Sequence, residues 1–278
     1  AISDIVEKLE VDRVVFQGYS ENADQLLLYL KAQFGSDLRC YAITHVTTSQ
    51  FEHYYEMIIQ ARLSIRKRYK VLDGLASVKP DFSFSFDEYW PGLIVNFAPN
   101  IPEGSFNGYS EITDVYTPLD PGWRKNMYTN IIAACLAYNV ERVKTANYPN
   151  GLENFCDLNK MRIVGYLRGK DLYAEMANSS LVLLATLAEC QPMTQLESFA
   201  VKTPAMTGRL NIKDFERDPL IQLCSTDKLD NPALLARDIE NVIKFIRSDP
   251  AAMREMIDNH LVYRHELAVR RYKEFLEL

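Results

Sequence analysis

Residues 181–208 read LVLLATLAECQPMTQLESFAVKTPAMTG, and this stretch decides the fold. Its apolar opening, Leu181 to Ala185, is typical of a strand in a parallel sheet that is covered on both faces. A helical pattern follows from about Pro192, and Thr203-Pro204 ends it before a second strand at Ala205 to Thr207. Strand, loop, helix and strand in this order predict an α/β protein, with a ligand site at the carboxyl end of the first strand.

Two glutamates stand at the centre of this stretch. Glu189 lies in the loop after the first strand, and Glu197 lies on the helix eight residues later. Open α/β sheets bind their ligands at the carboxyl ends of their strands, so both side chains are candidates for a binding site. The alternative is a pair of solvated or helix-capping glutamates, because this spacing arises by chance about once in such a chain.

Composition narrows the class of protein. The chain has 278 residues, enough for one large domain or two of ordinary size, and its net charge of -6 argues against a general grip on nucleic acid. No apolar run approaches the ~20 residues that span a bilayer, and no secretory signal opens the chain, so we expect a soluble, cytoplasmic protein. The five scattered cysteines suit a reducing compartment, and neither they nor the four histidines have metal-site spacing.

Strands and helices alternate in two series, separated by a segment rich in Pro, Gly, Asn and Ser. The first series predicts strands at 11–16, 38–44, 76–78 and 93–97, with helices at 23–34 and 50–72. The second predicts strands at 112–117, 140–145, 161–164, 181–185, 205–207 and 221–225, with helices at 124–137, 171–177, from 192, at 233–246 and from 251. We therefore expect two Rossmann-like domains, a partial one at 1–100 and a nucleotide-binding one with a terminal helix at 112–278, joined by a linker at 101–111.

Short motifs of the second series resemble, in the same order, the retaining glycosyltransferases of the GT-B fold, specifically glycosyltransferase family four. That family's signature is a glutamate, seven residues and a second glutamate, then a Thr-Pro before a strand, which Glu189, Glu197 and Thr203-Pro204 match. Ile163-Val164-Gly165-Tyr166 is similar to the family's strand that ends in glycine. Lys125-Asn126 is similar to the pair that opens the first helix of its C-terminal domain.

The resemblance implies a role for each matched residue. Glu189 contacts the donor sugar as a catalytic residue, and Glu197 binds the ribose hydroxyls, because a carboxylate accepts two hydrogen bonds from a vicinal diol. Lys125 neutralises the diphosphate with help from Arg124, and Gly165 lets the backbone approach the nucleobase. No metal or other cofactor is required, and the anomeric configuration is retained. An exposed lysine at a helix start is the alternative for Lys125.

Three further residues enter through the same resemblance. His45 ends a strand where the family often has a histidine facing the donor, so it is a second candidate catalytic residue, with a buried structural histidine as the alternative. Cys190 and Gln191 follow Glu189 in the donor-binding loop. Many members have glycines where this chain has Cys190 and Pro192, and proline removes an amide from that loop.

The implied function is glycan biosynthesis, in which a sugar moves from a nucleoside diphosphate sugar donor to a glycan or lipid-linked acceptor. The first domain lacks the family's glycine-rich first strand and loop, so the chain is either a fragment of a longer protein with further domains or is reduced on its acceptor side. Two other classes stay open. One is a sugar-nucleotide epimerase on the same fold, and the other is a non-catalytic binding or assembly module, which the incomplete first domain and Pro192 favour.

Overall fold

A computed structural model of the chain describes residues 2–101 and 112–278. They form two compact units, which we call unit 1 (Ala1–Asn96 with Glu266–Leu278) and unit 2 (Phe97–His265). Each unit contains a parallel β-sheet, which confirms the predicted α/β class. No helix in the described part of the chain is both long enough and apolar enough to cross a membrane.

The unit boundaries differ from the predicted domain boundaries at the C-terminus. The predicted linker, 101–111, lies outside the described residues apart from Ile101. The terminal helix belongs to unit 2 only up to His265, and its remainder groups with unit 1. Aromatic packing explains the difference, because the Phe275 ring lies 5.3 Å from the ring of Tyr41 and 5.5 Å from that of Trp90.

Unit 1 is built on a three-stranded parallel sheet in the order β1-β2-β3, as far as residues 2–101 are described. Its strands are β1 (Arg13–Gln17), β2 (Arg39–Thr44) and β3 (Gly74–Ser77), and its helices are α1 (Ile2–Lys8), α2 (Glu21–Phe34) and α3 (Tyr54–Arg68). Apolar residues on one face of α2 and α3 close the core, with Leu27, Leu30 and Leu63 fully buried. The sequence missed α1.

The predicted strand at 93–97 is wrong. Ile94 and Val95 are fully buried, which explains the apolar pattern, but the segment forms no strand. The amides of Trp90 and Ile94 donate to the carbonyls of Leu75 and Ser77 beside β3. Burial without a regular ladder therefore produced a strand-like sequence, because periodicity reports burial and does not report pairing.

Unit 2 contains a parallel sheet of six described strands in the order β6-β5-β4-β7-β8-β9. Its strands are β4 (Asp114–Thr117), β5 (Arg142–Thr145), β6 (Met161–Ile163), β7 (Leu181–Leu184), β8 (Ala205–Gly208) and β9 (Ser225–Thr226). Its helices are α4 (Met127–Leu136), α5 (Gly169–Ala177), α6 (Met193–Ala200), α7 (Pro219–Leu223), α8 (Pro232–Ser248) and α9 (Pro250–Leu276). All residues of β4, β7 and β8 are buried, so these central strands supply the core.

Two predicted elements of unit 2 need correction. Most of the predicted strand at 221–225 is the short helix α7, because Asp218 caps the amides of Leu220 and Ile221 and Pro219 favours the first helical position. The predicted helix at 124–137 is interrupted at Asn126. Its φ of 57° lies in the left-handed region, so a 3₁₀ turn at Trp123–Lys125 precedes α4.

Candidate functional site

The strand order of unit 2 reverses between β4 and β7, which are adjacent and parallel. The chain proceeds from β4 to β5 and β6 on one side, whereas β7 leads to β8 and β9 on the other. The loops that leave β4 and β7 therefore diverge, and the opening between such loops is where open α/β sheets bind ligands. Arg124 and Lys125 follow β4, and Glu189 follows β7, so the fold brings these three predicted site residues to one place.

A compact ion cluster joins the three residues. Nη1 of Arg124 donates to Oε1 of Glu189 at 3.2 Å and to the carbonyl of Ala188 at 3.0 Å. Nζ of Lys125 donates to the same carboxylate oxygen. The side chains are 22% (Arg124), 29% (Lys125) and 14% (Glu189) exposed, so the contacts are partly screened from water. Two cations against one carboxylate leave an excess of one positive charge, which suits an anionic ligand.

Two asparagines hold the loop after β4 against the end of β7. Nδ2 of Asn126 donates to the carbonyls of Ala185 and Leu229 at 3.0 and 2.6 Å. Asn130 makes a two-way contact with Ala185, donating from Nδ2 at 3.0 Å and accepting its amide at 2.9 Å. The amide of Leu187 also donates to the carbonyl of Arg124 at 2.9 Å. Asn126 was named from the sequence only as part of a motif, and Asn130 was missed. The signal for Asn126 is that asparagine tolerates the left-handed conformation that the loop needs.

A cavity of about 210 Å³ opens beside the ion cluster. Its walls include Lys125, Glu189, Leu172 and Thr194. The volume is below the roughly 300–1,000 Å³ that ligand pockets usually occupy, so the cavity could enclose only part of a drug-sized ligand. Its wall carries the Lys125 cation and the carboxylates of Glu189 and Asp120 next to apolar surface, and Arg124 reaches the cluster from outside this lining.

Tyr166 lines the cavity, and Gly165 precedes it in the segment that follows β6. Gly165 has a φ of 76°, and a side chain added there would meet nothing within 4 Å. The backbone conformation therefore requires glycine, and the space above it is open. Tyr166 lines the cavity, and its hydroxyl donates to Oδ1 of Asp120, which raises the pKa of the tyrosine. No local pattern predicts the Asp120–Tyr166 contact, because the two residues are 46 positions apart and meet only through the fold.

Helix α6 carries Glu197 one turn beyond the cavity. Thr194 lines the cavity, and Glu197 lies three residues later on the same helical face. Glu197 is half-buried, and desolvation raises the pKa of its carboxyl group. The helix has no side-chain cap at Pro192, and the amide of Gln195 donates to the carbonyl of Pro192 at 3.1 Å.

Cys190 and Gln191 do not join the cavity through their side chains. Both residues are 5% exposed, and neither lines the cavity. Oε1 of Gln191 instead accepts from Nη2 of Arg264 at 2.6 Å. The donor-binding role of these two residues stays a prediction. The sequence missed Arg264, which is 75 residues from Glu189 and part of an ordinary charged helix.

His45 lies in unit 1, directly after β2. Its side chain is exposed, and Nε2 lies 3.1 Å from Oε1 of Gln17. Desolvation by the groups around it lowers the pKa of His45, although its side chain reaches solvent. Within the described residues, no group of three or more His, Cys, Asp and Glu side chains is arranged to hold a metal ion.

Comparison with known proteins defines the fold. No protein-family model and no curated protein sequence matches the chain. Among solved structures, a glycosyltransferase from Rickettsia africae is similar over 99% of this chain and 79% of its own length, with 14% identity and a TM-score of 0.61. A trehalose-6-phosphate structure from E. coli bound with UDP-2-fluoro glucose is similar over 95% of this chain and 72% of its own length, with 10% identity and a TM-score of 0.62.

A third similar structure has a different described activity. A putative UDP-N-acetylglucosamine 2-epimerase from Listeria monocytogenes matches 100% of this chain and 78% of its own length, with 10% identity and a TM-score of 0.54. Structural similarity at sequence identities this low establishes the fold and leaves the activity open. The chain therefore has the GT-B type of fold, with two Rossmann-like units, that is found in glycosyltransferases.

Proposed function

We propose that this chain is a retaining glycosyltransferase similar to family four, which transfers a sugar from a nucleoside diphosphate sugar to a glycan or lipid-linked acceptor in the cytoplasm. The observation that carries the proposal is the contact of Glu189 with Lys125 and Arg124 at the strand-order reversal of unit 2. A fold shared with glycosyltransferase structures supports it. The matched Glu189, Glu197 and Thr203-Pro204 motif is the reason to prefer family four, and retention of configuration rests on that resemblance.

The cations of the cluster suit a diphosphate leaving group. Sugar transfer releases negative charge onto the diphosphate, and preorganised cations stabilise charge that develops in the transition state. Lys125 and Arg124 supply that charge. A bound diphosphate would compete with Glu189 for the two cations. Weakening of this pairing would let the carboxylate accept a hydrogen bond from the donor sugar.

The remaining parts of the donor fit the rim of the cavity. Glu197 would accept hydrogen bonds from the two ribose hydroxyls. Its half-buried position makes such a charge-assisted hydrogen bond stronger than it would be in bulk water. Gly165 leaves open space for a planar base, and Tyr166 offers a ring beside it. The catalytic role of His45, which lies in unit 1, is proposed from the family resemblance alone. The reaction as proposed requires no metal ion and no other cofactor.

A binding experiment tests the donor half of this proposal. Thermal-shift screening over nucleoside diphosphates would identify the preferred base, because a ligand of the native state raises its stability. Calorimetry with that nucleotide should then show affinity reduced about tenfold or more in Lys125→Ala and in Glu197→Ala. Lys244→Ala and Glu255→Ala make the same changes at exposed positions of α8 and α9 and should leave affinity unchanged. Unchanged affinity in the Lys125→Ala, Glu197→Ala double variant would remove the basis of the proposal.

A sugar-nucleotide epimerase is the second candidate, favoured by the similarity to the Listeria monocytogenes structure. Epimerases act on the donor alone and need acid and base groups at the sugar carbon, whereas a transferase needs an acceptor or water. Incubation of the chain with a nucleotide sugar and no acceptor separates the two. An epimerised nucleotide sugar would support the second candidate, and free nucleoside diphosphate would support transfer.

A further inference from the structure

A second cavity, of about 440 Å³, lies on the other side of helix α6. Its walls come from the start of α6, the loop after β8, the region of α7 and the helix α9, all within unit 2. Neighbouring residues of α6 separate the two cavities, because Thr194 faces the smaller one and Gln195 faces the larger one. The two cavities share no lining residue among the described residues. We call the larger one the α6–α9 cavity.

The α6–α9 cavity has a cation at its floor and another at its mouth. Arg264 is only 2% exposed, and its guanidinium carbon lies 5.0 Å from the centroid of the Phe215 ring. Burial lowers the pKa of Arg264 to about 9, so the group is protonated at neutral pH. Arg209 is exposed, and its amide is fixed to the carbonyl of Thr226 at 3.2 Å. Glu216 is the one carboxylate among the described lining residues, so positive charge is in excess.

Neutral hydrogen-bonding groups occupy the wall between the two arginines. Gln195, Asn211 and Gln222 supply side-chain amides. Gln195 is 2% exposed and donates from Nε2 to Oγ1 of Thr207 at 3.4 Å, and Gln222 donates from Nε2 to the carbonyl of Glu216 at 3.0 Å. These contacts hold the two glutamine amides in a defined orientation. An amide oriented in this way can exchange hydrogen bonds with hydroxyl groups of a ligand.

We propose that the α6–α9 cavity binds a small anionic polyhydroxylated compound, such as a sugar phosphate or a sugar acid. Arg209 takes the phosphate or carboxylate above the buried charge of Arg264, and the amides take the hydroxyl groups. Leu210 and Ile221, which are only partly buried, give an apolar surface for the sugar ring. The cavity volume lies within the range that small-molecule sites occupy, unlike that of the smaller cavity. This site is additional to the proposed donor site and does not depend on it.

Calorimetry with three probes tests this proposal on the intact chain. Glucose 6-phosphate and glucuronate represent the phosphate and carboxylate sources of the anion, and glucose is the uncharged analogue. We expect at least one anionic probe to bind, and glucose to bind about tenfold more weakly or not at all. Arg209→Ala should lower the affinity for the anionic probe about tenfold, and Arg209→Lys should recover part of that affinity. Lys228→Ala removes a neighbouring surface cation that does not line this cavity and should have no effect.

Several results would overturn the proposal. The proposal fails if neither anionic probe binds at millimolar concentration. It also fails if Arg209→Ala and Lys228→Ala lose equal amounts of probe affinity. Displacement of the probe by a nucleoside diphosphate, or loss of probe binding in Lys125→Ala, would place the probe in the smaller cavity and overturn it as well. Failure of nucleotides to bind at all would count against the proposed transferase and would leave this site standing, so the two failures are distinguishable.

Discussion

Nη2 of Arg264 donates to Oε1 of Gln191 at 2.6 Å, and both side chains are buried. The contact joins helix α9 to the loop that carries Glu189 into α6. A loop with a buried side-chain anchor has fewer accessible conformations than a solvated loop, so the anchor keeps Glu189 near Lys125 and Arg124. Helix α9 therefore helps to position the candidate site although it supplies no group to the smaller cavity.

A double-mutant cycle on this pair should be non-additive. Arg264→Met leaves the Gln191 oxygen buried without this donor, whereas Gln191→Met leaves a buried guanidinium without this acceptor, and each loss costs about 1–3 kcal/mol. The double variant removes both polar partners, so its unfolding free energy should exceed the additive expectation by about 1 kcal/mol. Denaturant unfolding measures the cycle. Arg270→Met, at an exposed position of the same helix, should have little effect, and additive losses would argue against a direct coupling.

Substitution of Asn126 should separate backbone strain from side-chain contacts. Both Asn126→Gly and Asn126→Ala lose the hydrogen bonds to Ala185 and Leu229. Only alanine must also adopt the left-handed conformation with a Cβ, at a cost of roughly 1–2 kcal/mol. Thermal and denaturant unfolding should therefore rank Gly above Ala. Equal stability would mean that the turn before α4 relaxes when its side chain is removed.

The cations and the carboxylate of the ion cluster should have opposite effects on nucleotide binding. Lys125→Ala removes a cation and should weaken binding of a nucleoside diphosphate. Glu189→Gln removes the carboxylate that competes for Lys125 and Arg124, so affinity should stay the same or rise while transfer falls about 10²-fold or more. Calorimetry and donor-hydrolysis assays give the two readings. A loss of affinity in Glu189→Gln comparable to that in Lys125→Ala would contradict competition for the cations.

The half-buried carboxyl group of Glu197 predicts a pH dependence of stability. Desolvation raises its pKa in the folded chain, so folding favours the protonated form. The stabilising contribution is fully present below the ordinary glutamate pKa of about 4.3 and is lost as the pH rises through the raised value. Glu197→Gln, which stays neutral, should therefore be more stable than the wild type at neutral pH, with a gap that closes on acidification. Denaturant unfolding across this pH range measures the gap, and a gap independent of pH would exclude the carboxyl group as its source.

Nucleotide affinity should respond to pH in the opposite sense to stability. The ionised form of Glu197 is the better acceptor for ribose hydroxyls, so protonation below its raised pKa should weaken binding. Glu197→Gln should show weaker binding at neutral pH and a flatter pH profile. Calorimetry at several pH values measures this. Identical profiles in the wild type and Glu197→Gln would indicate that the residue does not contact the nucleotide.

The regular elements around the candidate site were predictable from local pattern. The apolar run at 181–185 and the Thr203-Pro204 stop placed β7, α6 and β8 within one or two residues of their observed bounds. Burial pattern and proline chemistry are properties of short segments, and they needed no tertiary information. The same local reasoning failed at 93–97 and at 221–225. In the first segment burial occurs without strand pairing, and in the second the cap at Asp218 outweighs an apolar run.

By itself, the sequence determined the α/β class, two alternating series of elements and the candidates Lys125, Glu189 and Glu197. Tertiary structure alone decided that the strand order reverses between β4 and β7, which brings Lys125 and Arg124 onto Glu189. It also turned Gln191 toward Arg264 and grouped the end of α9 with unit 1. The difference lies in sequence separation. Helices, turns and buried strands depend on neighbours within a few residues. The strand-order reversal and these side-chain contacts join residues more than sixty positions apart, which no local pattern specifies.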